Sequence, residues 1–347
     1  MSDRNAPIQS RGARKPLEWS AADLEGRASG LEWLETDGLG GFACGTVGGM
    51  RTRRYHGWYI PALPPPRRRW MMVSGCDEFV TAGGVTEGIS TQAYREAVHP
   101  NGVKSLSRFR LEPFPTWRHE TPAFTLERSL CLVRERSLTI VRYVNRGASE
   151  ITLRVRPLLA LRGSHRLQSE TPDWDATTEA RGEVSSVRPL PYLPRLFLRG
   201  IFASTRVDPV WYRHFSYAEE AERGYDAEED LWSPLEWEWV LRPDAKAFAL
   251  FSLDEVAADP EHFLDGERVR RQAFARTQDP VFDEMDRRAE CFLAEADHRR
   301  ATVLAGFPWL ADWGRQTMVA APGLAQATGR AGALARVLNT FAAQRRD

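Results

Sequence analysis

Lysine is almost missing from this chain: Lys15, Lys104 and Lys246 are the only three in 347 residues. Arginine carries nearly all the positive charge, and 47 Lys plus Arg balance 47 Asp plus Glu. Without a net field of one sign, neither nucleic acid nor an anionic membrane is favoured as a partner. The clusters Arg51, Arg53, Arg54 and Arg67, Arg68, Arg69 therefore read as solvated surface. Cysteine is scarce, with Cys44, Cys76, Cys131 and Cys291 far apart and no CxxC pair. That spacing indicates neither a zinc site nor a disulfide framework, and reduced thiols are expected. No metal and no cofactor are expected. No apolar run approaches the roughly 20 residues that span a bilayer, and the start Met1-Ser2-Asp3-Arg4 lacks a signal peptide's apolar core. A soluble, cytoplasmic protein is the expectation. No Ser/His/Asp order, P-loop or HExxH motif occurs.

What is present is a chain with 42% apolar residues, enough for a sizeable core. Residues 1 to 25 are polar and without periodicity, so a disordered tail is expected there. Ile151, Leu153 and Val155 alternate with Thr152, Arg154 and Arg156, the period of a half-buried strand. Similar segments recur at 123–133, 138–144, 195–204, 235–241 and 247–253, separated by turn residues. Their number predicts a mainly β fold, a large antiparallel sandwich over residues 26–256. Residues 165–190 read as an extended loop.

Near Asp259 the period changes to that of a helix. Phe282, Met285, Ala289, Phe292, Leu293 and Ala296 share one helical face, and Leu334, Val337, Leu338 and Phe341 share another. Between them Met318 to Ala325 is apolar on every side and predicts a buried helix. These helices, in a region 257–347, cannot close a core of their own and must pack on the sandwich, on another chain or on further helices.

The densest chemistry lies in Thr302 to Met318. Trp309 and Trp313 offer flat apolar faces to pyranose rings, and Asp312 and Arg315 can exchange hydrogen bonds with hydroxyls. These four are expected sugar-binding residues. Two other segments are candidates. The glycine run Gly38 to Gly49 is not followed by a helical period, so it reads as a turn between strands rather than a phosphate cradle. The Arg51 to Gly57 segment that follows joins cations, an aromatic and an imidazole, which fits a ligand site or buried hydrogen bonding in a sheet. Trp211 to Trp232 alternates aromatics with carboxylates, as a carbohydrate surface or an acidic loop pinned by aromatic anchors would. Glycoside hydrolysis needs two carboxylates at a fixed separation, and no spacing here selects a pair, so catalytic residues stay unassigned.

Taken together, Trp33 to Asp37 with the glycines to Gly49, then Thr52-Arg53-Arg54-Tyr55-His56-Gly57, resemble the opening of the bacterial and archaeal type of glycogen debranching enzyme. Tyr212-Arg213, Glu220, Glu222 to Asp226 and Glu229-Asp230-Leu231 resemble that family's later N-domain signature. Phe307-Pro308-Trp309-Leu310-Ala311-Asp312-Trp313-Gly314-Arg315 resembles the start of its amylo-alpha-1,6-glucosidase domain. The resemblance runs over about residues 30 to 345, in order. It implies a β-supersandwich followed by an (α/α)6 barrel that hydrolyses α-1,6-linked glucose at branch points of glycogen. Similar barrels carry an Arg-Asp pair at this loop that grips the non-reducing glucose; Arg315 matches the Arg, and Gln316, which the resemblance adds as a fifth expected sugar-binding residue, stands in place of the Asp and can bond hydroxyls but not with a carboxylate's charge.

A whole barrel needs far more chain beyond Trp313, so the resemblance implies a truncated barrel, a fragment or one half of a split gene. The family's acid and base would then lie after Asp347, leaving the isolated chain inactive, with a separately encoded barrel domain as a further partner. The competing expectations are a stand-alone glucan-binding module and a fragment of a related sandwich-plus-barrel glycan phosphorylase.

Overall fold

The structure is a computed structural model, and it describes residues 17–64, 68–273, 280–295 and 300–343. The period-two segment forms the strand Ile151–Gly163, in which Ile151, Leu153 and Val155 are buried and Thr152, Arg154 and Arg156 are half-buried. It pairs antiparallel with Trp70–Ala82 on one side and Glu228–Leu241 on the other. Around this centre an eight-stranded sheet runs in the order Ser204–Ser216, Glu228–Leu241, Ile151–Gly163, Trp70–Ala82, Gly57–Ile60, Phe42–Thr46, Glu32–Thr36, with Val85–Gly88 added against Trp70–Ala82.

A nine-stranded sheet contains the expected strands Thr125–Leu132, Leu138–Asn145, Leu196–Ile201 and Lys246–Ser252. One shared core includes Trp33, Tyr59, Val73, Leu153 and Trp237 of the first sheet and Phe109, Trp117, Leu130, Tyr143 and Phe251 of the second. The expected antiparallel sandwich is therefore the fold.

Six helices occur among the described residues. Helix α1 (Ala21–Leu24) and α2 (Ala218–Glu222) are short, while α3 (Pro260–Gln272), α4 (Pro280–Ala289), α5 (Gly314–Thr328) and α6 (Ala331–Ala342) lie toward the C-terminal side. Helix α3 starts where the period changes because Asp259 caps it, accepting from the Glu261 N–H at 3.0 Å, and Pro260 occupies the first turn, where its missing N–H costs nothing.

Several expectations are corrected. Residues 17–25 do not belong to a tail: Glu18–Ser20 pairs with Leu106–Arg110, and Ser20 and Asp23 form a capping box on α1. Residues 1–16 lie outside the described residues. The 165–190 stretch is not only loop, since Thr178–Arg181 and Val184–Val187 pair as a hairpin at the edge of the larger sheet. Helix α4 ends at Ala289; Glu290–Phe292 form a 3₁₀ turn and Leu293–Glu295 a strand paired with Ala301–Val303. The stripe from Phe282 therefore splits, with Leu293 buried in a small core while Phe282 and Met285 are exposed. Ala296 lies outside the described residues.

Helix α5 is not buried on all sides: Thr317, Ala321 and Thr328 face inward, whereas Val319 is 79% exposed. On α6, Leu334 and Val337 are buried and Leu338 is exposed. The helices and the Leu293–Glu295/Ala301–Val303 hairpin close a small cluster of Leu293, Val303, Ala321, Leu334 and Val337. It is tied to the sandwich by the Glu295 N–H donating to the Gly38 carbonyl at 2.8 Å. No helix is long and apolar enough to cross a membrane among the described residues.

Candidate functional site

The glycine-rich segment is a turn between two strands. Asp37 Oδ1 accepts from the backbone N–H of Leu39 at 2.7 Å and of Gly41 at 2.9 Å, which reverses the chain from Glu32–Thr36 into Phe42–Thr46. Gly38 and Gly40 take φ of 71° and 100°, values that disfavour any side chain. Burial pushes the Asp37 carboxyl up to about 6, against the lowering effect of those two N–H groups.

The next segment, before Gly57–Ile60, shows the buried hydrogen bonding that was one of its two expected readings. His56 is buried and its Nδ1 accepts from the Thr52 N–H at 3.1 Å, so Nε2 is left to face Glu32 Oε1 at 3.3 Å. The His56 hydrogen bond, helped by Arg53 against the cost of burial, pulls Glu32 down to about 2. Arg53 bonds Glu32 at 2.8 Å. Arg54 turns instead to the acidic segment: Nε meets Glu220 Oε2 at 3.1 Å, Nη2 the Asp226 carbonyl at 2.8 Å and Nη1 the His165 carbonyl at 3.0 Å.

The 211–232 segment is a strand end, helix α2 and a second strand start, not a free acidic loop. Its carboxylate Glu229 is fully enclosed, paired with Arg162 and accepting from Tyr217 Oη at 2.5 Å. Arg162 Nη2 in turn donates to the Arg54 carbonyl at 2.8 Å. Burial raises the Tyr217 hydroxyl well above its ordinary range, with Glu229 adding to the effect.

The loop after Ala301–Val303 is seated on the sandwich. Phe307 packs edge-on against Phe42 at 5.4 Å between centroids. The Arg69 guanidinium holds the carbonyls of Gly40, Pro308 and Leu310 at 3.0, 3.1 and 2.9 Å. Burial lowers Arg69 to about 10. These ties present Trp309, 41% exposed, to a cluster from the sandwich. The Tyr55 ring lies 6.1 Å away, and the guanidiniums of Arg53 and Arg223 lie 5.6 and 5.8 Å from the indole centroid. Tyr55 Oη contacts His165 Nδ1 at 3.1 Å. A cleft of about 290 Å³ opens beside Trp309 and His165.

Of the five residues expected to hold sugar, Trp309 lies against side chains of the sandwich. Asp312 accepts from Thr302 Oγ1 at 3.2 Å, with its backbone bridged to Leu304. Trp313 is 55% exposed at the N-cap of α5, and Arg315 and Gln316 are exposed in that helix's first turn. Arg69 and His165 were not legible as site residues: the Arg67–Arg69 run reads as solvated surface, whereas Arg69 is 7% exposed, and His165 stands in a stretch that reads as loop. Among the described residues no group of three or more His, Cys, Asp or Glu could hold a metal ion.

The segments that meet around Trp309 all fall within ranges that match known families. Residues 31–248 match the glycogen debranching enzyme N-terminal family, and residues 282–347 match the amylo-alpha-1,6-glucosidase family. The chain belongs to the glycogen debranching enzyme family, and it contains the N-terminal domain with sequence of the glucosidase domain behind it.

Among solved structures, a bacterial glucoamylase complexed with acarbose aligns over 96% of this chain and 51% of its own, at 9% identity and a TM-score of 0.46. A 4-alpha-glucanotransferase from Thermococcus litoralis aligns over 58% of this chain and 29% of its own, at 10% identity and a TM-score of 0.28. The chain thus spans about half the length of that glucoamylase. No curated protein matches the sequence.

Proposed function

We propose that this chain serves the hydrolysis of α-1,6-glucosidic bonds in branched α-glucans such as glycogen, and that the Trp309 face is part of its sugar-binding surface. The observation that carries this reading is the convergence on one half-exposed indole of Arg53 and Tyr55 from the first family segment and Arg223 from the second. A pyranose stacks on an indole through its C–H face, while neighbouring guanidiniums and a phenol donate to its hydroxyls. Trp313, Arg315 and Gln316 extend the surface along the start of α5, and Asp312 supplies an acceptor. These groups bind and orient; the pair of carboxylates that hydrolysis requires is not assigned among them.

The domain division that fits this role is a sandwich that begins with the strand Glu18–Ser20 and runs to about residue 256, followed by a mainly helical region from about residue 257. Phe282, Met285, Val319 and Leu338 are exposed apolar side chains on α4, α5 and α6, which further barrel helices, in the same or a separate chain, would cover. Four free thiols, three of them buried, fit a reducing cytoplasm. Indole fluorescence titrated with a branched dextrin tests the reading. A saturable change is expected, and a flat titration would refute it.

A further inference from the structure

The cleft beside Trp309 has walls of one charge. Arg68, Arg69 and Arg166 line it together with the indoles of Trp70 and Trp309, and no carboxylate is among its lining residues. Among the described residues neither Arg68 nor Arg166 is paired with a carboxylate, and both are exposed at the mouth. Arg69 is 7% exposed, and its hydrogen bonds go to three neutral carbonyls while Nη2 has no partner in the protein. Asp37 and Asp312 act on Arg69 through space, but neither lines the cleft. The field extends to the rim, where burial and the cations Arg69, Arg54 and Arg162 hold the His165 imidazole below its ordinary range. Three guanidinium charges thus gather around a cleft whose lining gives them no anion.

Guanidinium forks match phosphate oxygens in geometry as well as charge, and a site enclosed by low-dielectric walls strengthens that attraction. Two indoles on the same cleft offer apolar faces to a ring. We propose that this cleft binds a phosphate monoester of a hexose, with the phosphate held by Arg68 and Arg166 over the buried charge of Arg69 and the sugar ring against Trp309. The inference rests on the reading of Trp309 as a sugar-stacking residue and adds a charged ligand to it.

Calorimetric titration of the full chain with glucose 6-phosphate, glucose, inorganic phosphate, sulfate and maltotetraose provides the test, repeated with Arg68→Gln and Arg166→Gln. Both substitutions fall on exposed side chains and should leave the fold intact. Glucose 6-phosphate should bind, inorganic phosphate about tenfold more weakly, and each substitution should weaken the ester about tenfold while leaving maltotetraose unchanged. No binding of the ester, binding indifferent to both substitutions, or sulfate binding as tightly as the ester would overturn the proposal. Inorganic phosphate equal to the ester would overturn its sugar half. Trp309-dependent binding of maltotetraose without the ester removes this inference alone, whereas the ester without maltotetraose removes the glucan reading alone.

Discussion

Arg54 and Glu220 hold each other across 166 residues of sequence: the carboxylate accepts from the Arg54 backbone N–H at 3.2 Å and from its Nε at 3.1 Å. Both side chains are largely withdrawn from water. The pair fastens the turn that carries Arg53 and Tyr55 to the helix that precedes Arg223, and so fixes the spacing of the three groups around Trp309.

Removing one partner of such a pair leaves the other charge buried and uncompensated, a loss of about 3 kcal/mol. Glu220→Ala should therefore lower the unfolding free energy in urea by that amount. Arg242→Ala, at an exposed pair with Glu150, should change it by less than about 0.5 kcal/mol. Equal effects of the two would remove the clamp from the account.

Asp37 gives stability a pH dependence of unusual sign. Its folded-state pKa, raised by burial to about 6, lies above the unfolded value, so between the two the native state holds more protons. Stability from this group is full below the unfolded pKa and falls as pH rises to about 6. Asp37→Asn keeps the acceptor for Leu39 and Gly41 and removes the titration. Relative to the parent it should gain on the order of 3 kcal/mol between about pH 3.5 and pH 7. Denaturation at both pH values checks this, and a constant difference would contradict it.

The exposed apolar side chains of the helical region should make the chain sticky. Replacing Phe282, Val319 and Leu338 together by Gln should reduce hydrophobic-dye fluorescence and self-association in light scattering, with the sandwich's circular dichroism unchanged. Unchanged dye binding would mean that these side chains do not form a face to be covered.

Gln316 sits in the first turn of α5, where a carboxylate meets the positive end of the helix. Gln316→Asp should stabilise the fold by about 0.3 to 1 kcal/mol. If the residue touches sugar, it should also tighten glucan binding about tenfold, since bonds to a charged acceptor exceed those to an amide. A rise in melting temperature with unaltered affinity would place Gln316 outside the sugar site.

Much of the fold was legible because burial writes a period into the chain. Ile151 to Arg156 alternates because one face of that strand is in the core, and Asp259-Pro260 marks the helix start by capping chemistry alone. The hairpin Thr178–Arg181/Val184–Val187 was hidden because its outer strand is exposed at the sheet edge and carries no alternation. The stripe from Phe282 to Ala296 misled because Leu293 owes its apolar character to a strand rather than to α4. At the site, Trp309 could be read from the company of its own loop. Its meeting with Tyr55 and Arg223 could not, since contact between distant segments leaves no local pattern; nor could Arg69, whose acceptors are backbone carbonyls.

The most direct test is the affinity of the chain for maltotetraose and for a branched dextrin, measured by calorimetry with Trp309 and with Trp309→Ala. Because Trp309 is substantially exposed, the substitution should leave the urea midpoint nearly unchanged. Loss of a central aromatic contact, about 2 kcal/mol, should weaken both glucans about thirtyfold. Equal affinities in the two proteins would contradict the placement of the sugar-binding surface at this indole.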